Sequence, residues 1–143
     1  MKALNRVFDG ITGTTAVHIC FGYAAIIHQR PSGYSFLPEL SGSPVRQISI
    51  ETAQSNLDCS VLGSLKNKKI MVGCIDLSNP KIETPQMIVA RVKKAMAFVR
   101  AEDIILAPDC GMKYLPRDVA DGKMRSMVEA AKILRAEFDN RRP

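Results

Sequence analysis

The amino-acid sequence predicts an α/β fold built from parallel strand–helix units. Three observations carry this. Short segments rich in apolar and β-branched residues recur at Thr14 to Phe21 (TTAVHICF), Gln47 to Glu51 (QISIE), Lys69 to Asp76 (KIMVGCID) and Asp103 to Ala107 (DIILA). KIMVGCID is apolar on both faces nearly to its end, the habit of a strand covered on both sides, which is how parallel sheets are built. Stretches with helical spacing follow the strands, and that alternation implies a sheet wrapped in helices.

Taken in order, Ala3, Leu4, Val7, Phe8 and Ile11 fall at helical spacing, and Thr12-Gly13 breaks the helix. The first strand follows. Residues 22 to 45 are a mixed stretch punctuated by Pro31, Gly33, Pro38, Gly42 and Pro44, largely loop with a short helix near Ala24 to His28. Loops of such length inside a domain are uncommon and often functional. After the second strand, Thr52 to Leu62 reads as a weak helix. The third strand is followed by Thr84, a good N-cap, and Pro85, suited to the first helical position. Ile88, Val92, Ala95, Met96 and Val99 then form a helical stripe. A loop with Pro108, Gly111, Pro116 and Gly122 follows the fourth strand, and Met127, Ala131, Leu134 and Phe138 mark the last helix. Four strand–helix units make half of an eight-unit barrel or a small open sheet.

The chain has 143 residues, which suits one domain, and its 46% hydrophobic content is enough for a core. No apolar run is long enough for a membrane span, and the N-terminus lacks the continuous apolar stretch of a secretory signal. The expectation is a cytoplasmic protein with reduced cysteines and no membrane partner. The net charge of +6 comes from scattered lysines and arginines without aromatic interleaving, a pattern of solvated faces rather than of a nucleic-acid surface.

The polar residues at strand ends carry the chemistry. Residues two apart on a strand point the same way, so His18 and Cys20 can meet one ion. The second strand ends at Glu51, the third at Asp76, and the fourth leads through Pro108 and Asp109 to Cys110. Parallel α/β folds place their sites at the carboxyl ends of strands. Two sulfurs, one nitrogen and one oxygen suit tetrahedral Zn²⁺, and soft sulfur argues against magnesium or calcium. His18, Cys20, Glu51 and Cys110 are therefore the candidate ligands, with the carboxylate the most easily displaced by an incoming thiol. Asp76 either orients a substrate or caps the next element. Asp109 either supports a ligand from behind or holds its turn. Cys59 and Cys74 read as buried thiols without a role, and His28 as a surface residue.

The segments VHICFGY, ISIETAQS, GCIDLSNPKIETP and APDCGMKYLPRD, in that order, resemble the catalytic domain of the cobalamin-independent methionine synthase family. The resemblance runs from about Thr14 to Phe138. It implies a (βα)8 TIM barrel of which residues 1–143 form a single partial domain, the C-terminal half. It assigns zinc to the same four residues, from the family's His-x-Cys pair, the Glu of its IET-like segment and the Cys of its PDCG segment. The implied activity is that of a 5-methyltetrahydropteroyltriglutamate–homocysteine S-methyltransferase of methionine biosynthesis. Zinc keeps the homocysteine thiol, ordinarily of pKa about 8.5, ionised for attack on the methyl group of a methylated folate. The QRPSGYSFLPELSG stretch is more similar to the shorter, methionine-synthase-II-like members, some of whose relatives use another small thiol or another methyl donor. The alternative is a truncated zinc-binding half-barrel without independent catalysis. A half-barrel exposes strand edges, so the resemblance also implies a homodimer partner or a separate N-terminal half.

Overall fold

Four strands run parallel in the order β1 (Ala16–Ile19), β2 (Gln47–Glu51), β3 (Lys69–Ile75) and β4 (Ile104–Pro108). The structure is a computed structural model and describes residues 1–22 and 34–140. The short helix expected near Ala24 to His28, and His28 itself, lie outside the described residues. The described helices are α1 (Lys2–Val7), α2 (Leu37–Ser41), α3 (Pro85–Met96) and α4 (Arg117–Asp139). The parallel strand–helix arrangement predicted from the sequence is thus present.

Register separates the two faces of the sheet. Val17, Ile48, Ile70 and Ile104 form one cross-strand row and Ile19, Ile50, Val72 and Leu106 another. Ile48, Ile50, Ile70 and Val72 are fully buried under the helices. Each contributes about 1.5–3 kcal/mol by leaving water. The row between them, His18, Ser49, Met71 and Ile105, faces the other way and stays partly exposed. This second face is the concave side of the sheet and carries the site.

Helix α3 starts as its sequence signals require. The Thr84 hydroxyl accepts the Met87 N–H at 3.3 Å, Pro85 occupies the first turn, and Ile88, Val89, Val92 and Ala95 are buried. Helix α4 buries Met127, Ala130 and Leu134 on one stripe, and Lys123 lies on the same stripe one turn earlier. The Lys123 stem is fully buried, and its ammonium reaches the loop beyond β3. There it donates to the carbonyls of Asp76 (3.0 Å) and Lys81 (2.7 Å) and to Glu83 Oε2 (2.7 Å). Glu83 Oε1 accepts from the Asp76 N–H at 2.8 Å and from Arg91 at 3.0 Å. Burial pushes the Glu83 carboxyl up, but the bonds from Lys123, Asp76 and Arg91 outweigh it and hold the carboxyl below its usual range. This cluster fixes the loop at the carboxyl end of β3.

Several expectations are corrected. The first helix stops at Val7 instead of reaching Ile11, and Gly10 (φ +74°) turns the chain. No helix spans Thr52 to Leu62. A 3-10 helix covers Cys59–Ser64, opened by Asp58, whose side chain accepts the Ser60 N–H at 3.0 Å. The N–H groups of Thr52, Ala53 and Gln54 are drawn to a carboxylate elsewhere, and Asn56 sits at φ 46°. Both features oppose an α-helical turn there. The last helix begins at Arg117, within the expected loop, and takes in Gly122. A Cβ at Gly122 would lie 2.4 Å from the tip of the exposed Ile82 side chain, so α4 passes close to the β3 loop there. Among the described residues no helix is long and apolar enough to cross a membrane.

Candidate metal centre

The carboxyl ends of the strands converge on one cleft. His18 lies within β1 and Cys20 directly follows it, while Cys110 lies two residues beyond β4. One ligand atom from each of these three residues falls within 4.8 Å of the others. The Cys20 and Cys110 sulfurs are 3.8 Å apart. β1 and β4 are the outermost strands of the sheet. Laid flat, strands in those positions would be about 14 Å apart, so the sheet must curl for their ends to meet. His18 and Cys110 line a cleft of about 370 Å³ on the concave face, with Ser49, Met71, Pro108 and Gly111.

A sulfur separation of 3.8 Å is far too long for a disulfide, and both cysteines are free. It matches the edge of a tetrahedron around a zinc ion, because two Zn–S bonds of about 2.3 Å at a tetrahedral angle place the sulfurs about 3.8 Å apart. The donor set and this spacing therefore fit a zinc ion. Burial raises the Cys20 thiol above its ordinary pKa; the Gly22 backbone opposes this, and Cys110 and Glu51 add to the rise. Two thiols and a carboxylate crowded together repel one another once ionised, and a cation among them would relieve that repulsion.

Glu51, the fourth candidate ligand, is fully buried at the end of β2 beside this group but lies outside the three-residue cluster. Its Oε2 accepts a hydrogen bond from the Gln54 side-chain amide. Asp109 is also fully buried. Its carboxylate accepts the backbone N–H groups of Thr52 (3.2 Å), Ala53 (3.1 Å) and Gln54 (2.6 Å). Burial pushes this carboxyl up to about 7, against the pull of those N–H groups, with Glu51 adding to the rise. Asp109 thereby ties the segment leading to Cys110 to the segment leaving Glu51. Gly73 makes room for it, since a Cβ there would sit 2.4 Å from Asp109 Oδ1 and 3.0 Å from the Glu51 Cα.

Asp76 is half-buried at the same rim, and its Oδ1 accepts the Ser78 N–H at 2.8 Å and the Ser78 hydroxyl at 2.6 Å. Cys59 and Cys74 are buried, and burial pushes the Cys74 thiol up to about 12 while it donates to the Ala107 carbonyl. Reading the sequence missed Ser49, Gln54 and Gly73. Gly73 left a usable signal, because glycine inside an apolar strand marks a close approach. Ser49 and Gln54 left none.

A curled parallel sheet with sulfur and imidazole donors at its carboxyl rim defines a barrel-type α/β enzyme architecture. Residues 31–133 match the family model described as the catalytic domain of cobalamin-independent synthase. The chain belongs to the cobalamin-independent methionine synthase family. It is 33% identical over 142 residues to a methionine synthase of Sulfurisphaera tokodaii, covering 99% of this chain and 39% of that protein. It is 32% identical over 141 residues to the methionine synthase of Pyrococcus horikoshii, again covering 39% of the relative. The B12-independent methionine synthase from Shewanella sp. W3-18-1, solved in complex with selenomethionine, superposes with a TM-score of 0.88 at 32% identity. That match covers 96% of this chain and 43% of the larger one. The chain spans about two fifths of the length of these relatives.

Proposed function

We propose that this chain is the zinc-bearing half of a methyltransferase that moves a methyl group from a methylated folate to the thiol of homocysteine, giving methionine. The observation that carries this reading is the Cys20–Cys110 pair at 3.8 Å with His18 beside it, on the rim where the fold puts catalysis. His18, Cys20, Cys110 and Glu51 would hold the ion, Glu51 by moving from its bond with Gln54. Bound zinc would supply a Lewis acid that keeps a substrate thiol ionised near neutral pH. The cleft admits the thiol beside His18 and Cys110, with the Met71 and Pro108 side chains forming an apolar wall against its carbon chain. Gln54 donates to the Glu51 carboxylate and would hold it whenever it is not engaged by the ion. Asp109 keeps the Cys110 segment in register with Glu51, and Asp76, at the same rim, is the candidate to orient the substrate. The selenomethionine in the Shewanella relative supports a methionine-shaped occupant. The setting is cytoplasmic.

Among the described residues β1 and β4 are the outer strands of the sheet, and this favours a second element of this reading: residues 1–143 work only when the ring is completed by an N-terminal half or by a second copy. Zinc content decides the first element. Wild type should bind one zinc and Cys110→Ser much less; equal zinc in both would remove Cys110 from the site. Homocysteine methylation, assayed with the chain alone and with an added N-terminal half, decides the second, and full turnover by a monomer would refute it.

A further inference from the structure

We propose that Ser49 is a positioning residue for this centre: its hydroxyl accepts a hydrogen bond from the Nδ1–H of His18 and so leaves Nε2 as the nitrogen that meets the metal. The inference rests on the zinc reading above. His18 and Ser49 are direct register partners on β1 and β2, and both sit on the concave face. His18 Nδ1 and Ser49 Oγ are 2.9 Å apart. A neutral imidazole has one N–H and one lone pair, and the nitrogen engaged by a neighbour is not the one that binds an ion. With Nδ1 against Ser49, only Nε2 remains for a ligand bond. It carries a lone pair only if Nδ1 holds the proton and donates the hydrogen bond to Ser49.

The strand pattern gives this pairing its logic. His18-x-Cys20 and Ser49-x-Glu51 each place two side chains on one face of adjacent parallel strands. The lower rung is His18 beside Ser49, and Cys20 and Glu51 each follow two residues further toward the rim on the same two segments. Cys20 and Glu51 in the upper rung are both candidate donors to the ion, whereas in the lower rung Ser49 supports the donor instead. His18 is exposed and on an outer strand, so its ring has rotational freedom that a fixed partner removes. Ligand histidines nearly always give their second N–H to such a partner, usually a carboxylate or carbonyl. Here the short hydroxyl at the register position fills that role.

The test uses the full chain with ¹⁵N-labelled histidine, as Ser49→Ala and Ser49→Thr, with circular dichroism to establish that each is folded. In the metal-free wild type, long-range ¹H–¹⁵N correlation should report His18 with its proton on Nδ1. Ser49→Ala should shift the proton to Nε2, and Ser49→Thr, which keeps the hydroxyl, should restore Nδ1–H. Zinc affinity, measured by competition with a chromophoric chelator, should fall about 10–100-fold in Ser49→Ala and recover in Ser49→Thr. An unchanged tautomer in Ser49→Ala, or zinc affinity within about twofold of wild type, overturns the proposal. A wild type that binds no zinc defeats the metal reading, and the metal-free tautomer measurement then decides the role of Ser49 by itself.

Discussion

Lys123 offers the sharpest test of how the rim is held. Replacing it by Met keeps most of the buried stem and removes the ammonium. Three acceptors then lose their donor: the Asp76 carbonyl at 3.0 Å, the Lys81 carbonyl at 2.7 Å and Glu83 Oε2 at 2.7 Å. Both partners of the ion pair are out of water, with side-chain exposures of 0% for Lys123 and 5% for Glu83. Removing one member of a buried pair costs about 3–5 kcal/mol, because the other charge stays buried. Glu83 is not abandoned, since Oε1 keeps Arg91 at 3.0 Å and the Asp76 N–H at 2.8 Å. The lower end, about 3 kcal/mol, is therefore expected. In a chain of this length that lowers the thermal midpoint by roughly 10 °C. Urea unfolding should show the midpoint fall with an unchanged slope. A double-mutant cycle with Glu83→Gln should give a coupling above about 1 kcal/mol. A Lys123→Met protein within about 0.5 kcal/mol of wild type, or strictly additive substitutions, would refute the account.

The same cluster has a pH signature. Glu83 is held below its ordinary pKa, so its contribution is complete above about pH 4.3 and is lost as pH falls through the lower folded value. Glu83→Gln should flatten the acid limb of the stability profile, and an unchanged limb would count against this. Gly73→Ala should cost about 1–3 kcal/mol from overpacking and also reduce zinc uptake by displacing Asp109, which metal analysis beside a urea melt would detect. Thr84→Ala should cost about 1 kcal/mol by uncapping α3 and leave zinc content unchanged, which separates general stability from the site.

What the sequence made legible follows from how local each feature is. β2 was legible to the residue, because QISIE is short, β-branched and bounded by polar residues. The start of α3 was equally plain, since Thr84 and Pro85 act within one turn. The segment after Glu51 misled because its backbone N–H groups answer to Asp109, more than fifty residues away. No local pattern reports such a partner. The start of α4 was misplaced because Pro116 and Gly122 look like loop punctuation, while Gly122 in fact sits within α4, close to Ile82. In the site, placing donors at strand ends brought His18, Cys20 and Cys110 to one cleft. The supporting residues Ser49 and Gln54 were invisible, since their roles arise only from register and side-chain direction.

The meeting of Cys20 and Cys110 has a consequence for the whole sheet. These residues extend its two outermost strands, so an ion held between them would fasten opposite margins of the curl. Ion affinity and curvature are then thermodynamically linked. Anything that docks on the outer margins and sets the same curvature would tighten the ion, and the ion would tighten that docking by the same factor. On the proposed reading, measured zinc affinity would double as a gauge of how nearly a ring is closed. The chain alone should hold zinc more weakly than the chain joined to whatever completes it, by the ratio in which zinc strengthens the joining.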